Sequence, residues 1–165
     1  MKNLKKQIAA PLFGLVASLS FSLAPVFAHA GLAMEVDEAQ VRMPIPGKAM
    51  TAAFMTIRNT TDSDDKLVSA SARWADNIEL HTHKHENGMM KMREVESISL
   101  PAHGTTVLQP GGLHLMIFGL ANPLPATEGG QLPLELCFSK SGCHAYQATL
   151  INMLKHHGTA AAHAM

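Results

Sequence analysis

The sequence is short of several features that define common protein classes. Its 165 residues include only two cysteines, one Trp and one Tyr, and the cysteines do not form a Cys-x-x-Cys pair. This pattern offers neither a cysteine-type structural zinc site nor a thioredoxin-like redox motif. Gly-x-Ser-x-Gly, His-Glu-x-x-His and P-loop motifs are also absent. Nothing in the sequence therefore indicates an enzyme of these classes, and we expect a protein that is not an enzyme.

Long apolar runs are absent except at the N-terminus. Three lysines precede an apolar, small-residue stretch that ends at Ala28-His29-Ala30. A basic start, an apolar middle and an A-x-A ending are typical of a secretory signal peptide. We predict a signal peptide at residues 1–30, cleaved after Ala30 or, as a second choice, after Ala28. A membrane anchor is the alternative. A lipoprotein anchor is not indicated, because no cysteine lies at the cleavage site.

Charge of either sign is scarce after the signal peptide. Removing residues 1–30 takes three lysines and no acid, which leaves 10 basic against 13 acidic residues, a net charge of −3 with His neutral. No basic block remains in the domain, so nucleic acid and anionic membranes are not expected partners. No later apolar segment is long enough to span a bilayer. We therefore predict a periplasmic protein without stable membrane insertion.

Short alternating runs separated by turn residues dominate the remaining chain. This pattern predicts an all-β, antiparallel sandwich or barrel that forms a single domain at residues 31–153. Only Leu120–Ala126 is a candidate for a helical turn. The candidate strands are Met34–Arg42, Met50–Arg58, Lys66–Ser71, Asn77–Lys84, Met89–Ser97, Thr105–Leu108, Leu113–Phe118, Gln131–Phe138 and Cys143–Ile151.

Histidine and methionine are abundant, and their positions in the strands decide their meaning. In the segment Leu113-His114-Leu115-Met116-Ile117, alternation turns the aliphatic residues towards a core and places His114 and Met116 side by side on the other face. A second group lies in a predicted hairpin. If residues 85–88 form its loop, His81 faces Met92 and His83 faces Met90. A two-residue Asn87-Gly88 turn would shift this register by two.

The donor types indicate the metal. Thioether sulfur is soft and neutral, so it favours Cu(I) over hard cations, and imidazole binds copper in either oxidation state. Two histidines and two methionines add no charge to a Cu(I) ion. Zinc is a poorer match, because it normally takes Cys, His or carboxylate ligands.

The spacing of these residues resembles the PCu(A)C family of periplasmic copper chaperones. Ten residues separate His81 from Met92, twenty-one separate Met92 from His114, and one separates His114 from Met116. The match includes flanking sequence such as Leu108-Gln109-Pro110-Gly111-Gly112. The upstream segment Ala52–Asn59 also looks like that family's second strand. The resemblance covers about residues 35–150.

The resemblance implies a cupredoxin-like β-sandwich that binds Cu(I) through His81, Met92, His114 and Met116. It also implies a role in copper homeostasis, with delivery towards the CuA centre of cytochrome c oxidase. The implied partners are cytochrome c oxidase subunit II or a thioredoxin-like copper chaperone. Sequestration of copper for resistance is the alternative, because it needs the same site.

A flexible tail is predicted at residues 154–165. Its chain is small and polar and lacks core residues. Its donors are His156, His157, His163 and Met165, and by resemblance they could form a second, Cu(II)-type site. The alternative is that these histidines lie in a flexible C-terminus by chance and bind no metal.

Other histidines and methionines lie outside this four-residue pattern. The predicted hairpin also carries His83, His85, Met89 and Met90. These residues are a path along which copper arrives, an alternative ligand set or chance donors in an exposed loop. We expect His103 to face solvent in a turn. Met34, Met43, Met50, Met55 and Met153 are expected to fill the core or its edges.

The two cysteines are predicted to form a disulfide. Alternation turns Cys137 outward, and a three-residue loop at Ser139–Ser141 would set it opposite Cys143. A thiol Cu(I) site or a redox pair is the alternative. A blue-copper centre needs His₂Cys with a weak axial Met, but Cys143 is followed directly by His144, without a nearby downstream Met.

Overall fold

The fold consists of β-strands joined by turns. A computed structural model describes residues 33–86 and 88–153, so the predicted signal peptide and the predicted tail lie outside the described residues. No helix in these two ranges is long and apolar enough to cross a bilayer. The strands are β1 (Met34–Arg42), β2 (Met50–Asn59), β3 (Asp65–Ser71), β4 (Ala75–Glu86), β5 (Met89–Glu94), β6 (Ile98–Leu100), β7 (Thr105–Leu108), β8 (His114–Leu120), β9 (Gln131–Phe138) and β10 (Gly142–Ile151).

The strands form one continuous hydrogen-bonded path. Its order is β5-β4-β8-β2-β1-β10-β9-β3-β6, and β7 pairs with the second half of β2. Strands β1 and β10 pair in parallel, whereas the other recorded ladders are antiparallel. The prediction of an all-β, cupredoxin-like fold is confirmed, with this one parallel ladder added.

Alternation of buried and exposed residues explains why the sheet closes over a core. In β9, Leu132, Leu134 and Leu136 are buried and the residues between them are not. In β8, Leu115 and Ile117 belong to the same hydrophobic cluster as these leucines. Since β8 and β9 are four steps apart in the strand order, the sheet must fold over to bring their apolar faces together. The opposite face of β8 is then available for a site.

Most strand predictions agree with the structure to within three residues, and four details differ. The short strand β6 was not predicted, and the prediction for β5 extended three residues too far, to Ser97 instead of Glu94. Residues 121–130 contain bends and a turn but no helical turn. The register of the β4–β5 hairpin is the two-residue-turn alternative, because Glu86 pairs with Met89 and His83 with Met92.

The far end of the sheet is held by a disulfide and a buried carboxylate. Cys137 and Cys143 are opposite each other and are joined by a disulfide, as predicted. The turn inside this loop is bound by Asp65, which is 3% exposed. Its carboxylate accepts hydrogen bonds from the Ser139 and Ser141 hydroxyls at 2.7 Å, and from the backbone amides of residues 66, 140 and 141 at 2.7–2.9 Å.

Candidate metal centre

The predicted ligands lie on the outer face of three of four neighbouring strands, namely β5, β4 and β8. Strands β5, β4, β8 and β2 are adjacent in that order. His81 of β4 pairs directly with His114 of β8, and Glu79 pairs with Met116. Leu80 and Leu115 between them are buried on the core side. Alternation therefore presents His81, His114 and Met116 together on the face away from the core.

The fourth predicted ligand, Met92, reaches this face from the edge strand. The first predicted register is wrong, because Met92 pairs with His83 and His81 pairs with Glu94. A shift of two residues keeps every side chain on its face. Met92 is consequently a diagonal neighbour of His81, a separation that long side chains span. The four residues remain on one surface, and His83 joins them.

Three imidazole rings converge around His114. The ring centroids of His83 and His81 lie 5.2 Å and 5.7 Å from that of His114, and the Phe54 ring lies at 6.4 Å. His114 is only 3% exposed. Burial lowers the pKa of His114, the neighbouring His83 and His81 lower it further, and a hydrogen bond to Gly112 opposes the shift. The neutral ring, which is the form that binds metals, is therefore favoured.

The hydrogen bonds of His114 define which ring nitrogen can act as a ligand. Its Nδ1 lies 3.0 Å from the carbonyl oxygen of Gly112. A carbonyl only accepts hydrogen bonds, so Nδ1–H is the donor and Nε2 of the neutral ring carries the lone pair. Nδ1 of His83 lies 3.4 Å from the same oxygen. The β7–β8 turn thus orients two imidazoles with one backbone carbonyl.

His81 leaves a buried nitrogen without a partner. Its Nε2 lies 2.8 Å from Oε2 of Glu79, and the carboxylate must be the acceptor. The lone pair of the neutral ring is then on Nδ1, which is buried and has no hydrogen-bond partner. A buried polar atom without a partner costs stability, and a metal ligand held by a carboxylate on its other nitrogen is a frequent arrangement in metal sites. The donor set fits a metal.

The thioethers complete the donor set beside an open cavity of about 450 Å³. Met92 is 45% exposed, and Met116 is half-buried. Both line the cavity together with Phe54, His83 and His114. Among the described residues, no three His, Cys, Asp or Glu side chains are grouped so that they could hold a metal by themselves. On this face, the thioether sulfurs of Met92 and Met116 are the donors available in addition to the histidines.

The remaining candidates are located elsewhere or play other parts. His103 lies in an exposed turn, as expected, and its Nε2 is 2.7 Å from Asp62. Met34 and Met55 are buried in the core, whereas Met50 is 44% exposed and lines the cavity. The disulfide leaves neither cysteine with a free thiol for the alternative thiol copper site or for a blue-copper centre. The tail histidines and Met165 lie outside the described residues.

Sequence reasoning missed four participants. His83, counted among ambiguous hairpin donors, is a member of the imidazole cluster. Glu79, Phe54 and the Gly112 carbonyl contact the predicted ligands and were not singled out. The segment Glu79-Leu80-His81 carried a signal for Glu79, because residues two apart in a strand share a face. The contacts of Phe54 with His114 and of Gly112 with His83 depend on strand order, which the sequence does not display.

The fold and the His/Met face define a class of protein, namely small β-domains of the PCuAC type. The copper-bound PCuAC domain from PmoF2 has a TM-score of 0.62 at 18% identity, covering 73% of this chain and 93% of that domain. A solution structure of Cu(I)-DR1885 from Deinococcus radiodurans has a TM-score of 0.60 at 32% identity, covering 76% of this chain and 82% of that one.

Within this class, the chain belongs to the LpqE-like family. The family model, described as "Putative lipoprotein LpqE-like", matches residues 34–150, which is most of the chain. A relative from Leifsonia xyli subsp. xyli, "Putative lipoprotein Lxx21020", is 36% identical over 107 residues. The match covers 64% of this chain and 62% of the length of that relative.

Proposed function

We propose that this protein is a copper chaperone that binds one Cu(I) and passes it to an acceptor without a catalytic step. The observation that carries the proposal is the direct pairing of His81 with His114 beside two methionines on one outer face. The proposed ligands are His81, Met92, His114 and Met116.

The chemistry of these ligands supports Cu(I). Two neutral imidazoles and two thioethers leave the ion its single positive charge, and thioethers favour a soft monocation over Zn²⁺ or Ca²⁺. Neutral ligands also hold the ion less firmly than thiolates would, which suits release to a cysteine-rich acceptor. His83 lies within the same imidazole cluster and could replace a leaving ligand during transfer.

Related proteins and the disulfide support the cellular setting. The DR1885 structure contains Cu(I) at 32% identity to this chain, and the family model describes lipoproteins, which are exported. A Cys137–Cys143 disulfide fits an oxidising compartment. We therefore propose the periplasm as the location and delivery towards the CuA centre of cytochrome c oxidase as the role. The acceptor would be subunit II or a thioredoxin-like copper chaperone.

The test is a Cu(I) titration against a chromophoric competitor. We expect the predicted mature chain, which begins at Gly31, to bind one ion tightly. The variant His114→Ala/Met116→Ala should lose at least about 100-fold in affinity, since even residues that only support metal ligands are worth about 10–100-fold. His103→Ala, which removes an exposed histidine outside the cluster, is the control and should bind like the wild type. Unchanged affinity in the double variant would refute the site.

Delivery and sequestration are separated by a transfer measurement. A chaperone loaded with one Cu(I) should pass it to an apo CuA domain of cytochrome c oxidase subunit II, whereas a sequestering protein should retain it and bind several ions. Copper that stays on this protein in the presence of excess acceptor would favour sequestration.

A further inference from the structure

The β4–β5 hairpin has two chemically different faces. Glu86 pairs with Met89, so only residues 87 and 88 separate the strands. One face carries cross-strand pairs of soft donors, and every pair on the other face contains at least one charged side chain. The soft-donor face consists of His83↔Met92 and, nearer the turn, His85↔Met90. The opposite face consists of Thr82↔Arg93, Lys84↔Lys91 and Glu86↔Met89.

On the soft-donor face, the pair nearest the turn, His85↔Met90, already has the geometry of two ligands. Nδ1 of His85 lies 3.2 Å from Sδ of Met90. Two donor atoms at this separation can both reach one ion, because metal–nitrogen and metal–sulfur bonds are about 2.0–2.3 Å long. Both side chains are exposed, Met90 by 55%. An ion in solution therefore has direct access to them.

The next pair connects this position with the imidazole cluster. His83 faces Met92, and its ring centroid is 5.2 Å from that of His114. Alternate residues in a strand are about 6.8 Å apart. The flexible methionine side chains can shorten this distance, so an ion can contact a ligand of one pair before it leaves the other.

Charge on the hairpin is arranged so that it does not oppose a cation on this face. Glu86 lies 2.8 Å from Arg93 and 3.6 Å from Lys91, and these bonds hold both cationic groups on the opposite face. The soft-donor face ends at Glu94, which pairs with His81. A monocation moving along this face meets neutral donors and then an acidic side chain.

We propose that His85 and Met90 form a second, weaker Cu(I) site, through which the ion enters and leaves the central site by way of His83 and Met92. This rests on the proposed function, since it assumes that the central site binds Cu(I).

Transfer along this route is a ligand exchange. A bond from copper to His83 or Met92 forms as a bond to His85 or Met90 breaks. Copper remains Cu(I), so no electron acceptor or donor is needed. The proton that His85 now directs at sulfur moves to its other ring nitrogen through solvent, and the ring stays neutral.

The first test follows the histidine rings by NMR while the predicted mature chain, which begins at Gly31, is titrated with Ag(I), a soft monocation that resists oxidation. We expect the first equivalent to shift the ring signals of His81 and His114, and further Ag(I) to shift that of His85. In His85→Ala/Met90→Ala the first response should persist. A His85 ring that does not respond to excess Ag(I) would overturn the second site.

The second test measures the rate at which a chromophoric chelator removes Cu(I). Loss of the outer pair in His85→Ala/Met90→Ala should slow removal about tenfold, whereas Lys84→Ala/Lys91→Ala on the opposite face should not. If His85 binds Ag(I) but the rate is unchanged, the outer pair is an incidental site and the route is wrong. Failure of the central site is recognised separately, by unshifted His81 and His114 rings and an unaffected His114→Ala/Met116→Ala variant.

Discussion

The two polar regions of this sheet treat their buried groups in opposite ways. At the far end, the Asp65 carboxylate receives five hydrogen bonds from the turn and its own strand. On the outer face of β4 and β8, the Nδ1 atom of His81 is buried without any partner. The first region gains stability from a complete set of bonds. The second leaves the lone pair of this nitrogen unused, which costs stability and suits the proposed role of His81 as a ligand.

The two regions also differ in how the pKa of a buried group is shifted, as Asp65 in the first region and His114 in the second show. Burial alone would raise the pKa of Asp65, but its hydrogen bonds from Ser139, Ser141 and backbone amides outweigh burial and hold the pKa well below its usual range. For His114, burial lowers the pKa and its one hydrogen bond does not compensate. Asp65 is thus held in the charged form by its hydrogen bonds, whereas burial favours the neutral form of His114.

The largest effect on folding is expected from Asp65→Ala. The substitution leaves the donors of residues 139–141 without their acceptor, and hydrogen bonds to a charged group contribute about 1.5–3 kcal/mol each without adding fully, so we expect a loss of at least about 3 kcal/mol. Urea denaturation measures it. Asp62→Ala, an exposed carboxylate, should change stability by less than about 0.5 kcal/mol. Copper affinity should be unaffected, and a parallel loss of affinity would show that the two regions are not independent.

His81→Phe should separate binding from stability. The aromatic ring fills the same space without a buried unpartnered nitrogen, so the free energy of unfolding without metal should stay within about 1 kcal/mol of the wild type or rise. Cu(I) affinity should fall about 100-fold. Competition titration and thermal unfolding on the same samples check both. A variant that is strongly destabilised would mean that His81 serves the fold rather than a ligand.

Removal of the disulfide should have a smaller effect, confined to the Asp65 region. The bridge closes a loop with a sequence separation of 6, for which loop entropy predicts about 2 kcal/mol. Cys137→Ser/Cys143→Ser should unfold at lower denaturant concentration and show faster amide exchange in residues 138–142. Its Cu(I) affinity in reducing buffer should equal that of the wild type. A loss of affinity would show that the cysteines take part in Cu(I) binding.

The smallest effect is a graded dependence on pH. The pKa of Asp65 is lower in the folded than in the unfolded state, so its stabilisation is complete above the unfolded value of about 3.9 and is lost as the pH falls below it. Denaturation curves between pH 6 and 2.5 should show this loss, and Asp65→Asn should show less of it. Equal slopes for the two proteins would assign the acid sensitivity to other carboxylates.

The sequence predicted the strands best where burial alternates over many residues. The bounds of β9 were predicted correctly because its leucines repeat with a period of two. The strand β6 has only three residues, Ile98–Leu100, and a segment this short displays no period. Cys137 and Cys143 were paired correctly because their alternation and the short turn between them are both local features.

The site was predictable within strands but not between them. His114 and Met116 share a face because they are two residues apart, and the structure places them so. The partner of His81 was not predictable, because it depends on the adjacency of β4 and β8, which are far apart in sequence. The hairpin register was also open, since turns of two and four residues both suit Glu86-Asn87-Gly88.

The number of residues in the hairpin turn decides which side chains of β4 and β5 share a face. Gly88 adopts a φ of +76°, which suits a tight turn, and the wrong four-residue prediction still placed every histidine on the correct face because it differed by an even number. An odd change has a different outcome. One residue inserted at the turn and absorbed by β5 would bring Lys91 and Arg93 to the side where Met90 and Met92 now lie. The turn can therefore gain or lose two residues without changing which side chains share each face. A change of one residue would instead replace methionine side chains on the soft-donor face with Lys and Arg side chains.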